Sequence, residues 1–475
     1  MLPKIGSSKG NRMNNRAEDL VRHRPTVADR LLNLFSDVHA GEGGRAFLML
    51  FNIFLILVAY YIIKTVREPL ILNAEIPEFL KALGIISTAE VKTFASAGQA
   101  LVLMIFVPAY GWFASRVSRM KLIVGVTLFF AANVLIFAVA VHNDAPFIGV
   151  AFYIWVGVFS LSIIAQFWSY ANDIYTKSAG DRLFPVIALG ATAGSPVGAW
   201  VSERLFEAHV SSHLMLYLSA GLLLLTLGIY LLVNRNAGRT GNAEENGKVE
   251  SPLGKTNAFA LVFSNRYILL IALLLIVLNI VNTVGEFILS TLVVDHAAEL
   301  AREQDNFDVN AYIGAFYASY FFWVNIIAVL LQAFVASRIV KRFGLAGVLF
   351  ALPIIALGAY GFVALGATLF IVRWAKTAEN STDYSIMNTA KQLLWLPTTR
   401  EEKYKAKQAV DSFFVRLGDL AAALVVFAGV SWFALGARGF AMLNLCFIVL
   451  WLGLAWALWR LNRRQYPETE STASP

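Results

Sequence analysis

The chain has 475 residues, 58% of them hydrophobic and 15% charged, with one cysteine and a mean hydropathy of +0.64. Soluble domains carry about 45–50% apolar and about 25% charged residues, so this composition excludes an ordinary water-soluble fold. The lone Cys446 excludes an internal disulfide and a cysteine-based metal cluster. The formal charge of +8 reads as topology-setting charge, so a lipid bilayer is the expected partner and nucleic acid is not.

Residues 1–45 are polar, with Lys4, Lys9, Arg12, Arg16, Arg22, Arg24, Arg30 and Arg45, and show neither an apolar core nor a cleavage signal. The expectation is a cytoplasmic tail, with the first apolar helix directing insertion. Apolar runs near the roughly 20 residues that span a bilayer then recur along the chain. They fall near 46–72, 94–114, 121–141, 146–174, 184–206, 212–233, 267–293, 311–336, 344–364, 366–396, 408–434 and 439–460. Lipid obliges each crossing segment to satisfy its own backbone, and the segments are too long and too apolar for barrel strands. The predicted fold is therefore all-α, about twelve transmembrane helices in two six-helix halves. The halves are 46–233 and 267–460, joined by a polar, glycine-rich linker at 234–266, with a tail at 461–475.

Basic residues set the orientation. Arg116, Arg119 and Lys121, Lys177 and Arg182, Arg338, Lys341 and Arg342, Arg400 to Lys407, and Arg460, Arg463 and Arg464 all lie on the side of the amino terminus and the linker. The alternate connections are acidic or poor in Lys and Arg, as in Glu75 to Glu90, His142 to Asp144 and Asp295 to Asp308. The positive-inside rule then places both termini in the cytoplasm, in what reads as a bacterial inner membrane. Ala114-Ser115-Arg116-Val117-Ser118-Arg119 after helix 2 returns as Ala336-Ser337-Arg338-Ile339-Val340-Lys341 after helix 8, and the same offset puts Lys64 on Glu286. Basic loops between the second and third helices of two halves are what the parallel repeats of a major-facilitator-type transporter predict.

Charges inside apolar helices are costly, about 2.5–3.5 kcal/mol each near the bilayer centre, so they mark partners or a wet pathway. Helix 1 holds Lys64, Arg67 and Glu68, helix 4 ends with Asp173, and helix 7 holds Glu286. Helix 10 holds Arg373, Lys376, Glu379, Asp383 and Lys391, and helix 11 holds Arg416 and Asp419. Spacings of three and four favour local pairing of Lys64 with Glu68, Lys376 with Glu379 and Arg416 with Asp419, and Arg67 and Glu68 are placed to reach the outer interface. The excess of lysine points to a small anionic substrate. Tyr60, Tyr61, Trp168, Tyr170, Trp374 and Tyr384 are candidates to stack on a ring, against the alternative that they only pack. Gly190, Gly194 and Gly198 in helix 5 form a small-residue seam for close helix packing, and the polar run Glu379 to Asp383 predicts a bend in helix 10.

Several stretches resemble the ATP/ADP translocase family, the nucleotide transporters of plastids and obligate intracellular bacteria. Lys64-Thr65-Val66-Arg67-Glu68 is similar to that family's K-x-x-R-D, and Ala74 to Lys81 to its A-E-x-I-P-F-L-K. Gln166 to Asp173 resembles F-W-x-F-A-N-[EQ], Arg182-Leu183-Phe184-Pro185 resembles R-F-Y-P, and Lys403 to Asp411 matches K-x-K-x-K-x-A-[IV]-D. The resemblance implies nucleotide exchange by alternating access and carries functional roles onto Lys64, Asp173, Glu286 and one of Lys405 or Lys407. It departs where K-Y-S-x-F-D-P-x-K-E reads Asp383 to Gln392, which keeps Tyr384, Ser385 and Lys391 but inverts a charge at Asp383.

The candidate site is thus Lys64, Arg67, Asp173, Glu286, Lys376, Lys391, Lys405 and Lys407. A proton-coupled carrier of another organic anion is the alternative. An enzyme is not expected, since H-E-x-x-H and G-x-x-x-x-G-K-[ST] are both missing and every histidine reads as tail or loop. No cofactor is expected, and a monomer is the expected state.

Overall fold

The computed structural model describes residues 38–39, 42–114, 116–237, 257–399 and 401–465. Most of the expected linker and both outer tails lie outside the described residues. The first six long helices are α1 (Gly43–Leu72), α2 (Thr88–Ala114), α3 (Arg119–His142), α4 (Ile148–Ile174), α5 (Lys177–Glu207) and α6 (Ser212–Ala237). After α7 (Arg266–Glu303), α8 (Val309–Leu330) runs through a π-helical stretch, Leu331–Ala336, into α9 (Ser337–Ala364). The helix α10 comes in three pieces, Leu369–Thr382, a π-helical turn Asp383–Met387, and Asn388–Trp395. α11 starts with alternating π and α turns, Glu402–Ala406, Lys407–Ala409 and Val410–Phe414, and continues as Val415–Phe433, and α12 is Ala437–Gln465.

By length and composition, ten helical stretches among the described residues can cross a membrane. One of these, Val309–Ala364, is 56 residues long and breaks at Gly344, whose φ of 59° and ψ of −150° only glycine adopts at little cost. That break makes two crossings of one stretch. α10 drops out of an apolarity count because of its own charges, and with it there are twelve long helices among the described residues, as in the sequence reading.

The side chains are distributed as lipid requires. Ile105, Ile136, Leu424 and Trp432 face outward, while Glu68, Lys92, Lys376 and Glu379 are buried within the bundle. Lipid supplies no hydrophobic drive between helices, so close backbone approach holds them together. The α1–α5 contact shows how. A methyl group added at Gly190, Gly194 or Gly198 would lie 2.2, 2.6 and 2.8 Å from the carbonyl oxygens of Leu50, Phe54 and Val58, so the two helices run parallel, backbone against backbone. α1 also packs on α4 and α6, and α7 on α11 and α12. Contacts across the middle of the chain pair α5 with α8 and α2 with α11, and stepping each helix by six converts one pair into the other.

Three expectations about element limits need correction. α2 begins at Thr88 rather than near residue 94, because Ser87 and Glu90 form a reciprocal cap, Ser87 N–H donating to Glu90 Oε1 at 2.9 Å and Glu90 N–H to Ser87 Oγ at 3.2 Å. α7 continues through Asp295 to Glu303, well beyond its apolar run. The second basic junction, Ser337 to Lys341, is helical rather than a loop, and the chain turns only at Gly344.

Candidate functional site

A cavity of about 500 Å³ lies between the two sets of six helices. Its walls come from α1 (Tyr60, Lys64, Arg67, Glu68), α2 (Lys92, Ser96, Gln99), α7 (Asn279, Asn282, Glu286), α10 (Asn380, Tyr384) and α11 (Arg416, Asp419).

One chain of charge runs along it. Glu68, on the buried face of α1, takes Lys92 Nζ at 2.8 Å and the neighbouring Arg67 guanidinium. Lys92 reaches across to the later helices, donating to Ser290 Oγ at 2.9 Å and to Tyr317 Oη at 3.3 Å, with Glu286 Oε2 at 4.0 Å. Lys376 Nζ stands 3.7 Å from the other oxygen of Glu286, 3.1 Å from Glu379 and 3.1 Å from Asn282 Oδ1. Asn380 Nδ2 donates to Glu286 Oε1 at 3.1 Å, and Tyr360 Oη donates to Glu379 Oε2 at 3.0 Å. A buried charge survives when it is both paired and hydrogen-bonded, and each of these meets that condition. The arrangement depends on Gly285, since a methyl group there would lie 1.8 Å from Tyr360 Oη and 3.0 Å from Lys376 Nζ.

Lys64 is different. Its ammonium lies 4.1 Å from the centre of the Phe321 ring and 5.1 Å from that of Tyr61, whose hydroxyl donates to Asn325 Oδ1 at 2.9 Å. Among the described residues no carboxylate comes within 4.0 Å of it. The expected Lys64–Glu68 pair does not form, because Lys92 and Arg67 occupy Glu68 instead. The expected local pairs of Lys376 with Glu379 and Arg416 with Asp419 are present, at 3.1 and 3.4 Å.

The cavity brings together Lys64, Arg67 and Glu286, with Lys376 directly behind Glu286. The other candidates lie elsewhere. Asp173 is exposed in the last turn of α4. Lys391 pairs with Asp383 at 3.1 Å, Lys405 with Glu401 at 3.0 Å, and Lys407 donates to Gln392 Oε1 at 3.0 Å. Of the candidate stacking rings, Tyr60 and Tyr384 line the cavity, whereas Trp168 packs on Phe184, Tyr170 on Tyr230 and Trp374 on Trp323. Lys92 was missed because it stands before the apolar run of α2. The signal that finds it is the capping pattern Ser87-Thr88-Ala89-Glu90, which starts the helix early. Among the described residues no group of three or more His, Cys, Asp or Glu side chains is placed to hold a metal ion.

Comparison with known proteins follows the same lines. Residues 46–387 match the family model of the Major Facilitator Superfamily. ADP,ATP carrier protein 1 of Chlamydia pneumoniae is 26% identical over 314 residues, covering 58% of this chain and 59% of that one. The same-named protein of Chlamydia muridarum is 27% identical over 302 residues, so the chain spans somewhat under three-fifths of the length of these relatives, 59% and 55%. ADP,ATP carrier protein 2 of Chlamydia trachomatis serovar D is 22% identical, over 90% of this chain and 92% of its own. Among solved structures, nucleoside transporter NupG superposes with a TM-score of 0.58 at 14% identity, covering 88% of this chain and 98% of that one. The POT family transporter PepTSo gives 0.61 at 13%, covering 88% and 98%. At these identities the structural likeness speaks for the fold.

Proposed function

We propose that this chain, which belongs to the Major Facilitator Superfamily and is a membrane transporter, carries an anionic, ring-bearing solute of the nucleotide kind by exchange across the bilayer. The observation that carries this reading is Lys64, a cation with no carboxylate partner among the described residues, set in a cavity whose other charges are matched. An ammonium held against aromatic faces rather than by a counter-ion is stabilised by the rings yet keeps its hydrogen-bonding capacity for an incoming anion. Tyr60 and Tyr384 offer faces to a planar group, and Asn279, Asn282 and Asn380 offer amide edges. The resemblance to ADP,ATP carriers favours a nucleotide.

The contacts that join the two sets of helices support alternating access. Asn73 with Asn310, His209 with Asp308 and Lys92 with Ser290 lie towards the end that the basic loops predict to be external, which we read as closed. A buried Glu379, held by Tyr360 and Lys376, favours one second reading, a proton-coupled carrier of another organic anion. The test is uptake into proteoliposomes, measured as counterflow and as proton-driven uptake on one preparation, for nucleotides, organic acids and peptides. Lys64-dependent counterflow of an anion is the expected result. Uptake confined to neutral solutes would remove the anion reading.

A further inference from the structure

The charge of the cavity can be counted. On its walls, or paired with them, stand Lys64, Arg67, Lys92, Lys376 and Arg416 against Glu68, Glu286, Glu379 and Asp419, one more cation than carboxylates among the described residues. Arg67 and Lys92 have Glu68, Lys376 has Glu286 and Glu379, and Arg416 has Asp419 at 3.4 Å with Thr283 Oγ1 also bonded to that acid at 3.1 Å. Lys64 is the whole of the excess.

We propose that the cavity is matched to a solute bearing a single net negative charge on or beside a planar ring, Lys64 taking the anionic group. This narrows the anion reading above and rests on it. The physical reason is the cost of uncompensated charge away from water. A solute with one charge brings the cavity to neutrality, whereas each further charge remains unpaired where Lys92, Lys376 and Arg416 are already held by carboxylates at 2.8–3.4 Å. Freeing Lys376 or Arg416 for a second phosphate oxygen would leave Glu379 or Asp419 without its cation, and turning Arg67 away from Glu68, which Lys92 still holds, leaves the summed charge of the cavity unchanged. The polar atoms left to the solute are neutral ones. Asn279 spends its Nδ2 on the Leu275 carbonyl at 2.7 Å and keeps its Oδ1, and Asn282 spends its Oδ1 on Lys376 and keeps its Nδ2. Amide edges of both kinds, with aromatic faces beside them, fit the rim of a polar ring rather than a chain of phosphates.

The test uses the purified full-length chain and two probe series in which the ring is constant and the charge rises. One is neutral adenosine, singly charged cyclic AMP, then AMP, ADP and ATP. The other is benzamide, benzoate, phthalate and trimellitate. Equilibrium binding, checked by thermal stabilisation, should peak at cyclic AMP or benzoate and weaken by at least about tenfold at the next charge step. Lys64→Met should move the peak to the neutral member. Asp419→Asn, and Glu379→Gln as a second variant in case the first does not fold, should move it towards AMP or phthalate. Tightest binding by ADP or ATP that still requires Lys64 would overturn the charge match and leave anion transport standing. Binding that ignores both charge and Lys64 would overturn both readings. Failure of every probe to bind, with Lys64-dependent uptake of some other solute in the proteoliposome screen, would overturn the ring-and-monoanion class alone.

Discussion

Lys64 and Lys92 have the same side chain and opposite situations. Lys92 is locked by Glu68 at 2.8 Å and by two hydroxyls, and Lys64 rests on rings. Lys92→Met should therefore act on stability. Losing one partner of a buried pair costs about 3–5 kcal/mol, and Arg67 remains to hold Glu68, so the loss should fall near the lower end, read as a lowered melting temperature in detergent. Lys64→Ala should leave melting nearly unchanged and weaken binding, by the roughly 1.5–3 kcal/mol of a hydrogen bond to a charged group, read as a raised apparent Kd for the transported anion. Glu286→Gln removes a carboxylate shared by Lys376 and Lys92, so counterflow and proton-driven uptake should be lost together; retention of counterflow alone would instead make Glu286 the coupling acid. Lys64, Arg67 and Glu286 were legible because a charge inside an apolar run stands out. Their partners were not, since pairing is decided by which helices face one another. Glu286 has Lys376 and Lys92 beside it, each carried by a different helix.

At the scale of the helix, the apolar runs located every crossing while misplacing some ends, because caps rather than hydropathy set where a helix starts. The Ser87–Glu90 cap of α2 has a counterpart ahead of α11, where Thr399 N–H donates to Glu402 Oε2 at 2.8 Å and Glu402 N–H to Thr399 Oγ1 at 3.3 Å. Asn265 ties the same acid to the start of α7, its Nδ2 donating to Glu402 Oε1 at 2.7 Å. Partial burial pushes the Glu402 carboxyl up, and the bonds from Thr399 and Asn265 outweigh it and hold it below the usual carboxylate range. A depressed acid contributes stability above its unfolded value and loses it as pH falls through its folded value. Hydrogen exchange at residues 401–406 should accordingly rise on acidification below the ordinary glutamate range, and Glu402→Gln should raise it at neutral pH by about 1 kcal/mol of local opening. The glycine seam of α5 was readable as a seam, but its partner was not. Contact with Leu50, Phe54 and Val58 makes it an α1–α5 joint inside one half, so Gly194→Leu should prevent folding rather than alter transport rate, seen as loss of monodisperse protein on gel filtration. Where a bend is expected in α10 the helix makes a π-helical turn at Asp383–Met387, which contains the cavity residue Tyr384, a feature that polar composition hinted at and no periodicity could position.

For the molecule as a whole, the prediction from loop charge is that both termini and position 241 face the cytoplasm and that Asp305 faces out. Single cysteines placed at these positions in a Cys446→Ala background, treated in intact cells with an impermeant reagent, should label at 305 only; labelling at 241 would reverse the orientation. The two-half architecture was visible in the sequence through the polar interruption at 234–266 and the paired charges, since lipid leaves so few alternatives to helices. The charges in apolar helices pointed to a wet pathway, but not to the part that α2 and α11 take in its walls, because the cavity belongs to neither half.

The way its charges divide between the halves has a mechanical meaning. The first six helices contribute Lys64, Arg67 and Lys92 against Glu68, and the last six contribute Lys376 and Arg416 against Glu286, Glu379 and Asp419. Apart from each other the two faces have opposite sign, positive before the linker and negative after it, meeting where Lys92 and Glu286 stand 4.0 Å apart. On the exchange reading proposed above, the attraction between these faces pulls this end shut without solute, and an anion on Lys64 would slacken it by lowering the charge of the positive face. Salt does the same by screening. Distances between spin labels on the connections α1–α2 and α7–α8 should lengthen when solute or ionic strength rises, and should already be long in Glu286→Gln.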